Sequence, residues 1–143
     1  MTVQAILTRK GSTVCTIEPR ASVADAAKSL AYHGIGALVV VDAGGQTVGI
    51  ISERDIVRAL AERGAAALED PVSRTMTREV ETCTAGETVS TIMERMTVGK
   101  FRHMPVVEQG RVIGLVSIGD IVKYRLGEME REQAAMRDYI QAS

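Results

Sequence analysis

The chain states one pattern twice. Val48-Gly49-Ile50-Ile51-Ser52-Glu53-Arg54-Asp55-Ile56-Val57 returns as Ile113-Gly114-Leu115-Val116-Ser117-Ile118-Gly119-Asp120-Ile121-Val122. Asp55 and Asp120 are 65 residues apart, whereas Thr16 and Thr82, Val23 and Val89, and Asp42 and Glu108 are each 66 apart. The one-residue slip falls at Asp42-Ala43-Gly44-Gly45-Gln46 in copy 1 and Glu108-Gln109-Gly110-Arg111 in copy 2. A solvated hairpin tip tolerates such a change of length. An open solenoid needs about three or more repeats to be stable, so two copies predict a closed pair in which each covers the other's apolar face.

Composition narrows the class. With 143 residues, 45% hydrophobic and 24% charged, the chain has material for a core and is not a disordered polyelectrolyte. A formal net charge of −1 gives no electrostatic basis for generic nucleic-acid or anionic-membrane binding, so any anion site is local. The longest apolar stretch, residues 35–41, is far short of a membrane span, and the N-terminal residues lack a basic-then-apolar signal pattern. The expectation is a cytoplasmic protein with no membrane or nucleic-acid partner. Cys15 and Cys83 are not at matched positions, and two cysteines with two histidines at scattered spacings predict no metal site.

Each copy reads as strand, helix, strand, strand, helix. In copy 1, residues 14–17 are a β-rich run stopped by Pro19, and Ser22-Val23-Ala24-Asp25 fits a capping box opening a helix that Gly34 and Gly36 end. The apolar runs 37–41 and 48–51 flank a Gly-Gly turn, as in a hairpin buried on both faces. A second helix covers 52–63. Copy 2 repeats this with a strand at 80–83, a helix at 89–96, strands at 103–107 and 112–116, and a helix from Ser117. The expected divisions are copy 1 at 1–63, a link at 64–76, copy 2 at 77–125 and a helical tail at 126–143.

Ser52-x-x-Asp55 and Ser117-x-x-Asp120 are capping boxes in their own right. The same geometry turns a helix N-terminus and its dipole outward, which suits phosphate, while the carboxylate can accept from paired hydroxyls. Copy 2 carries Lys100-Phe101-Arg102-His103 where copy 1 has Gly34-Ile35-Gly36-Ala37, so basic equipment is unequal. His103, protonating near its ordinary pH range, is expected to add to it. Gly34-Ile35-Gly36-Ala37-Leu38-Val39 leads into a strand and lacks a third glycine, which rejects a dinucleotide loop.

The doubled Gly-h-h-Ser-x-x-Asp-h-h signature, preceded by Leu38-Val39-Val40-Val41-Asp42 and Met104-Pro105-Val106-Val107-Glu108, resembles the CBS domain family, and the pair resembles a Bateman module. The resemblance extends to about Arg125. It implies an α/β (α+β) fold of two pseudo-symmetric repeats followed by a C-terminal helical tail, with two clefts between them that hold AMP, ADP, ATP, NAD(H) or S-adenosylmethionine. Carried over from the family, the Asp120 cleft uses Cys15, Thr16, Ile35 and Gly36 around the base and Ser117 with Arg102 or His103 on phosphate. The Asp55 cleft uses Glu81, Thr82, Phe101, Met104 and Pro105 around the base, with Ser52 and Arg54 at its polar end. On this basis the Asp120 cleft is the better charged.

Past copy 2, Val122, Leu126, Met129, Gln133, Met136 and Ile140 recur at steps of four and three, the spacing of an apolar seam on one long helix. It serves either a short coiled coil or packing against its own module. The functional expectation is a regulatory sensor of an adenosine-containing ligand, homodimeric, that signals occupancy to an unidentified protein partner. The alternatives are a ligand-independent dimerisation adaptor and a nucleotide-processing enzyme using His33, His103, Cys15 or Cys83.

Overall fold

A computed structural model of the chain describes residues 1–11 and 13–142. Helix α1 (Val3–Lys10) leads into strand β1 (Thr16–Ile17), helix α2 (Val23–His33), hairpin β2 (Ala37–Val41) and β3 (Thr47–Ser52), and helix α3 (Glu53–Arg63). A 3-10 turn (Gly64–Glu69) and short helix α4 (Val72–Thr75) form the link. Copy 2 supplies helix α5 (Val89–Gly99), hairpin β4 (His103–Glu108) and β5 (Arg111–Ser117), and helix α6 (Ile118–Ala142). No helix among the described residues is long and apolar enough to cross a membrane.

The repeat is visible in backbone detail. Both hairpins slip register at matched points, between Val40 and Val41 and between Val106 and Val107. Ser22 and Thr88 cap α2 and α5 by accepting from the amides of Asp25 and Thr91. Gly34 ends α2 in the left-handed region at φ 63°, and Lys100 does the same for α5 at φ 56°.

The strand expected at 80–83 contracts to a single bridge. Only Cys83 joins β4, its amide donating to the Pro105 carbonyl at 3.0 Å and its carbonyl accepting from Val107 at 2.8 Å. Glu81 and Thr82 are instead drawn to Arg95, so the β-rich composition of this run is not spent on a ladder. Its counterpart β1 is a two-residue parallel strand on β2.

Two apolar cores result, and each is closed by a segment that precedes the other copy. Val23, Ala26, Leu30, Leu38, Val40, Ile51 and Ile56 of copy 1 are joined by Val72 and Met76 from the link. Val89, Ile92, Met96, Met104, Val106, Val116, Ile121 and Tyr124 of copy 2 are joined by Val3, Ile6 and Leu7 of α1. Thus α1 lies within the span of copy 1 in sequence but packs on copy 2. Backbone bonds repeat the exchange: Val3 donates to Glu87 at 2.9 Å and Val72 to Ala21 at 2.7 Å. Glycine permits the close approach on both sides. A Cβ at Gly114 would stand 2.6 Å from Leu7 Cδ2, and one at Gly49 would stand 2.8 Å from Met76 Sδ.

Because both plugs are buried, Leu7→Ala and Met76→Ala should each lower the free energy of unfolding by about 2–4 kcal/mol, the usual cost of emptying a core site. Urea titration reads this directly. A loss under about 0.5 kcal/mol for Leu7→Ala, the scale of a surface change, would show that α1 is not part of the second core.

Candidate functional site

The start of α3 faces one cleft and the start of α6 the other. In each, the carbonyl of the residue entering a hairpin accepts from the first helical amide: Gly36 from Glu53 at 3.0 Å and Arg102 from Ile118 at 2.8 Å. Asp55 and Asp120 amides donate to the Ser52 and Ser117 hydroxyls at 3.3 and 3.1 Å. These bonds occupy most of the exposed amides at each helix N-terminus. Fewer helix N–H groups are then left for a ligand, so more of any phosphate charge falls to side chains.

The two aspartates are dressed differently. Asp55 Oδ2 accepts from the Ser52 amide at 2.9 Å and hydroxyl at 3.0 Å, and Oδ1 accepts from Thr77 Oγ1 at 3.2 Å. Arg58 stands 3.8 Å from Oδ1, and the Asp55 side chain is 7% exposed. Asp120 Oδ2 accepts from the Ser117 amide at 2.9 Å and from Lys10 Nζ at 2.7 Å. Among the described residues nothing donates to Oδ1, and the side chain is 22% exposed. Asp120 therefore retains an accepting oxygen, whereas both oxygens of Asp55 are engaged. Burial alone would raise the Asp120 pKa, but the Lys10 and Ser117 hydrogen bonds outweigh it and hold the group below its ordinary value.

The Asp120 cleft, about 330 Å³, brings together Cys15, Ile35, Gly36, His103, Ser117 and Asp120 as the sequence led one to expect, and adds Lys10, Thr13 and Val14. Thr16 and Arg102 are not in its lining. Arg102 lies instead in the Asp55 cleft, about 250 Å³, with Ser52, Arg54, Asp55 and Phe101. That cleft also gathers Glu53, Arg58, Thr77 and Lys100. The expected distribution of charge is thus reversed: Arg54, Arg58, Lys100 and Arg102 all border the Asp55 cleft. The cause is the direction taken at the hairpin entrance, where Arg102 turns towards copy 1 while His103 lies between the clefts and lines both.

The structure does not bring Glu81, Thr82, Met104 and Pro105 to either lining. The Glu81 carboxylate pairs with Arg95 at 2.8 Å, the Thr82 carbonyl accepts from Arg95 at 2.8 Å, and Met104 and Pro105 are buried in β4. Lys10, Arg58 and Thr77 were missed, and Lys100, singled out as basic equipment, was given no place in a cleft. Lys100 carried one local signal, since it matches Gly34 and so holds a left-handed conformation that costs a side-chain residue roughly 1 kcal/mol. Lys10 and Thr77 gave none, because they reach the aspartates only through the exchanged segments.

His103 divides the clefts. A Cβ at Gly36 would stand 3.1 Å from His103 Nε2, so the imidazole fits there because residue 36 has no side chain. Burial first, with Lys10 and Arg102, lowers the His103 pKa against the pull of Glu53 and Asp120. The protonation expected to strengthen phosphate binding is therefore displaced to lower pH. Cys83 is buried, and burial first, then Glu87, push its thiol up to about 11 against the Arg95 charge. Such a thiol is a poor nucleophile. Cys15 and His103 share a cleft, but no hydrogen bond joins them among the described residues.

A family model described as CBS domain matches residues 4–62 and 72–127. The mitochondrial CBS domain-containing protein CBSX3 of Arabidopsis thaliana is 36% identical over 150 residues, covering 98% of this chain and 72% of the relative. An uncharacterized 17.7 kDa protein of Acidianus ambivalens is 37% identical over 111 residues, covering 77% of this chain and 66% of its own length. Among solved structures, the CBS-domain containing protein ATU1752 of Agrobacterium tumefaciens superposes with a TM-score of 0.84 at 49% identity, covering 87% of this chain and 92% of the other. The CBS domain pair of protein MJ0100, in complex with 5'-methylthioadenosine and S-adenosyl-L-methionine, superposes with a TM-score of 0.81 at 32% identity, covering 90% and 98%.

The His103 shift fixes a sign. Its folded pKa lies below the ordinary 6.5, so the unfolded chain binds more protons, and this contribution to stability is present above that value and lost as pH falls. The shift of Asp120 acts in a more acidic window, below its ordinary 3.8. The urea midpoint should therefore decline between about pH 7.5 and 5.5, with a shallower decline in His103→Gln. Parallel profiles for the two proteins would show that His103 does not titrate as its burial requires.

Proposed function

The chain belongs to the CBS domain family, and from that membership we propose a regulatory module that binds adenosine-containing ligands between its copies and passes occupancy on as a change of shape or association. The observation that carries the proposal is the Asp120 carboxylate. Oδ2 is held by the Ser117 amide and Lys10, no hydrogen bond to Oδ1 is seen among the described residues, and the residue lines the cleft, which suits the hydroxyl pair of a ribose. The ligands of the MJ0100 CBS pair share that adenosine group.

The two clefts take different ligands in this reading. Four cations against Glu53 and Asp55 fit the Asp55 cleft to several phosphates, as in ATP, ADP or NAD(H). The Asp120 cleft has Lys10 and a His103 held towards neutrality, and fits an adenosine with little phosphate charge, such as AMP or 5'-methylthioadenosine. The raised thiol of Cys83 favours binding over covalent chemistry. Signalling then consists of differential affinity between two conformations, and a second copy of the chain is its first partner.

Calorimetry against AMP, ATP, NAD, NADH, S-adenosylmethionine and 5'-methylthioadenosine tests this reading, and the absence of heat or thermal shift with all six would favour the adaptor alternative. Asp120→Asn retains a capping side chain but removes the charge, so AMP affinity should fall about tenfold, the worth of a charged hydrogen bond, with about 1 kcal/mol lost from the cap. Unchanged affinity would remove Asp120 from the site.

Arg102→Met should weaken ATP more than adenosine. Equal losses for the two ligands would give Arg102 a structural role instead.

A further inference from the structure

Helix α6 carries two apolar stripes. Ile121 and Tyr124 are buried in the second core, whereas Val122, Leu126, Met129 and Met136 are each more than half exposed. At 100° per residue the stripes are separated by roughly 120° around the helix, so the exposed one cannot turn to the core without withdrawing the other. Residues 129–142 are all exposed, and they extend about 20 Å from the body at 1.5 Å per residue. A helix of this length is marginal in water without a packing partner.

The charges beside the stripe say what that partner is. With Leu126, Gln133 and Ile140 at position a and Val122, Met129 and Met136 at d, position g holds Arg125 and Glu132, and e holds Glu130 and Arg137. In a parallel pair each g side chain faces the e side chain of the partner's following heptad. Arg125 then meets Glu130 and Glu132 meets Arg137, both opposite in sign. Gln133 meets its own copy, so the two amides satisfy each other. Sliding the partner by one heptad opposes Arg125 to Arg137 and Glu132 to Glu130. An antiparallel pair with full overlap opposes Glu130 to Glu130, Glu132 to Glu132 and Lys123 to Arg137, and buries Gln133 against Met129. Arg125 stands 3.7 Å from Glu128 of its own helix, with the Glu128 side chain mostly buried and Arg125 half exposed, so the guanidinium keeps further N–H donors for an added carboxylate.

We infer that the exposed stripe of α6 is a self-association surface that pairs with the same stripe of a second copy, parallel and in register, about a two-fold axis along the tail. The inference rests on the association half of the proposed function and not on ligand binding.

Sedimentation equilibrium of the full chain tests it. Glu132→Arg changes two symmetry-related attractions into repulsions on an exposed face and should weaken self-association about tenfold. The double variant Glu132→Arg/Arg137→Glu should restore it to within about threefold, because the swapped charges attract again across the pair and substitutions at contacting residues are not additive. Gln133→Cys in a Cys15→Ser background should cross-link through position 133 under mild oxidation. A double variant as weak as the single, association without cross-linking, or a wild-type chain that stays monomeric would each overturn the inference. Nucleotide should still raise the melting temperature of Glu132→Arg and Glu132→Arg/Arg137→Glu, whose substitutions lie outside the lining of both clefts. Failure of the ligand reading would appear there, with the association results unchanged.

Discussion

The structure depends on an exchange of short apolar segments. Neither copy closes its own core: Val72 and Met76 enter the first, and Val3, Ile6 and Leu7 enter the second. Gly49 and Gly114 set the depth of entry, because the plugging side chains lie where a Cβ would be. The exchange joins the copies by burial, so that separating them exposes both cores to water. It also brings a polar side chain from each leading segment to the opposite aspartate, Thr77 to Asp55 and Lys10 to Asp120. The packing that holds the fold together is thus the packing that builds the clefts.

Within that symmetric frame, charge breaks the symmetry. Thr77 completes the neutral hydrogen-bonding of Asp55, whereas Lys10 brings a cation to Asp120 and leaves an oxygen open. At the matched hairpin entrances, glycine at 36 leaves room for the His103 ring, while Arg102 extends across to the Asp55 cleft. One backbone template therefore yields two environments: a buried, saturated carboxylate among several cations, and a partly exposed carboxylate with few.

What was legible in the sequence followed from local rules. Capping by Ser22 and Ser52, the glycine ending α2, and the continuous apolar runs of both hairpins depend on neighbours close in the chain, and the doubled signature supplied the family fold. Helix α1 was not legible, because its role is set by Leu7 reaching Gly114 and not by its own short pattern. The run at 80–83 has strand composition, yet Arg95 claims Glu81 and Thr82, so only Cys83 pairs. Of the two clefts, spacing located both aspartates, and the family resemblance supplied much of the Asp120 lining. It assigned Arg102 to the wrong side because a side chain's direction at a strand entrance is decided by what lies opposite, here Gly36 and the start of α3.

The Asp120 cleft and the exposed stripe share one uninterrupted element. Asp120 lies in the first turn of α6, its amide held by the Ser117 hydroxyl, and the same helix continues to Ala142. In the proposed reading, a ligand hydroxyl at Asp120 would act on the carboxylate that ties this turn to Lys10 of α1, and α1 is a wall of the second core. Tight binding alone would move nothing, because an equilibrium between tail arrangements shifts only as far as the ligand distinguishes them. The contact that such a ligand would have to distinguish is the Lys10 ion pair, at the joint between α1 and α6. If ligand binding alters that joint, thermodynamic reciprocity requires that self-association through the tail alter ligand affinity by the same factor. In such an arrangement the cleft and the tail are two ends of a single helix, linked through the plug that closes the second core.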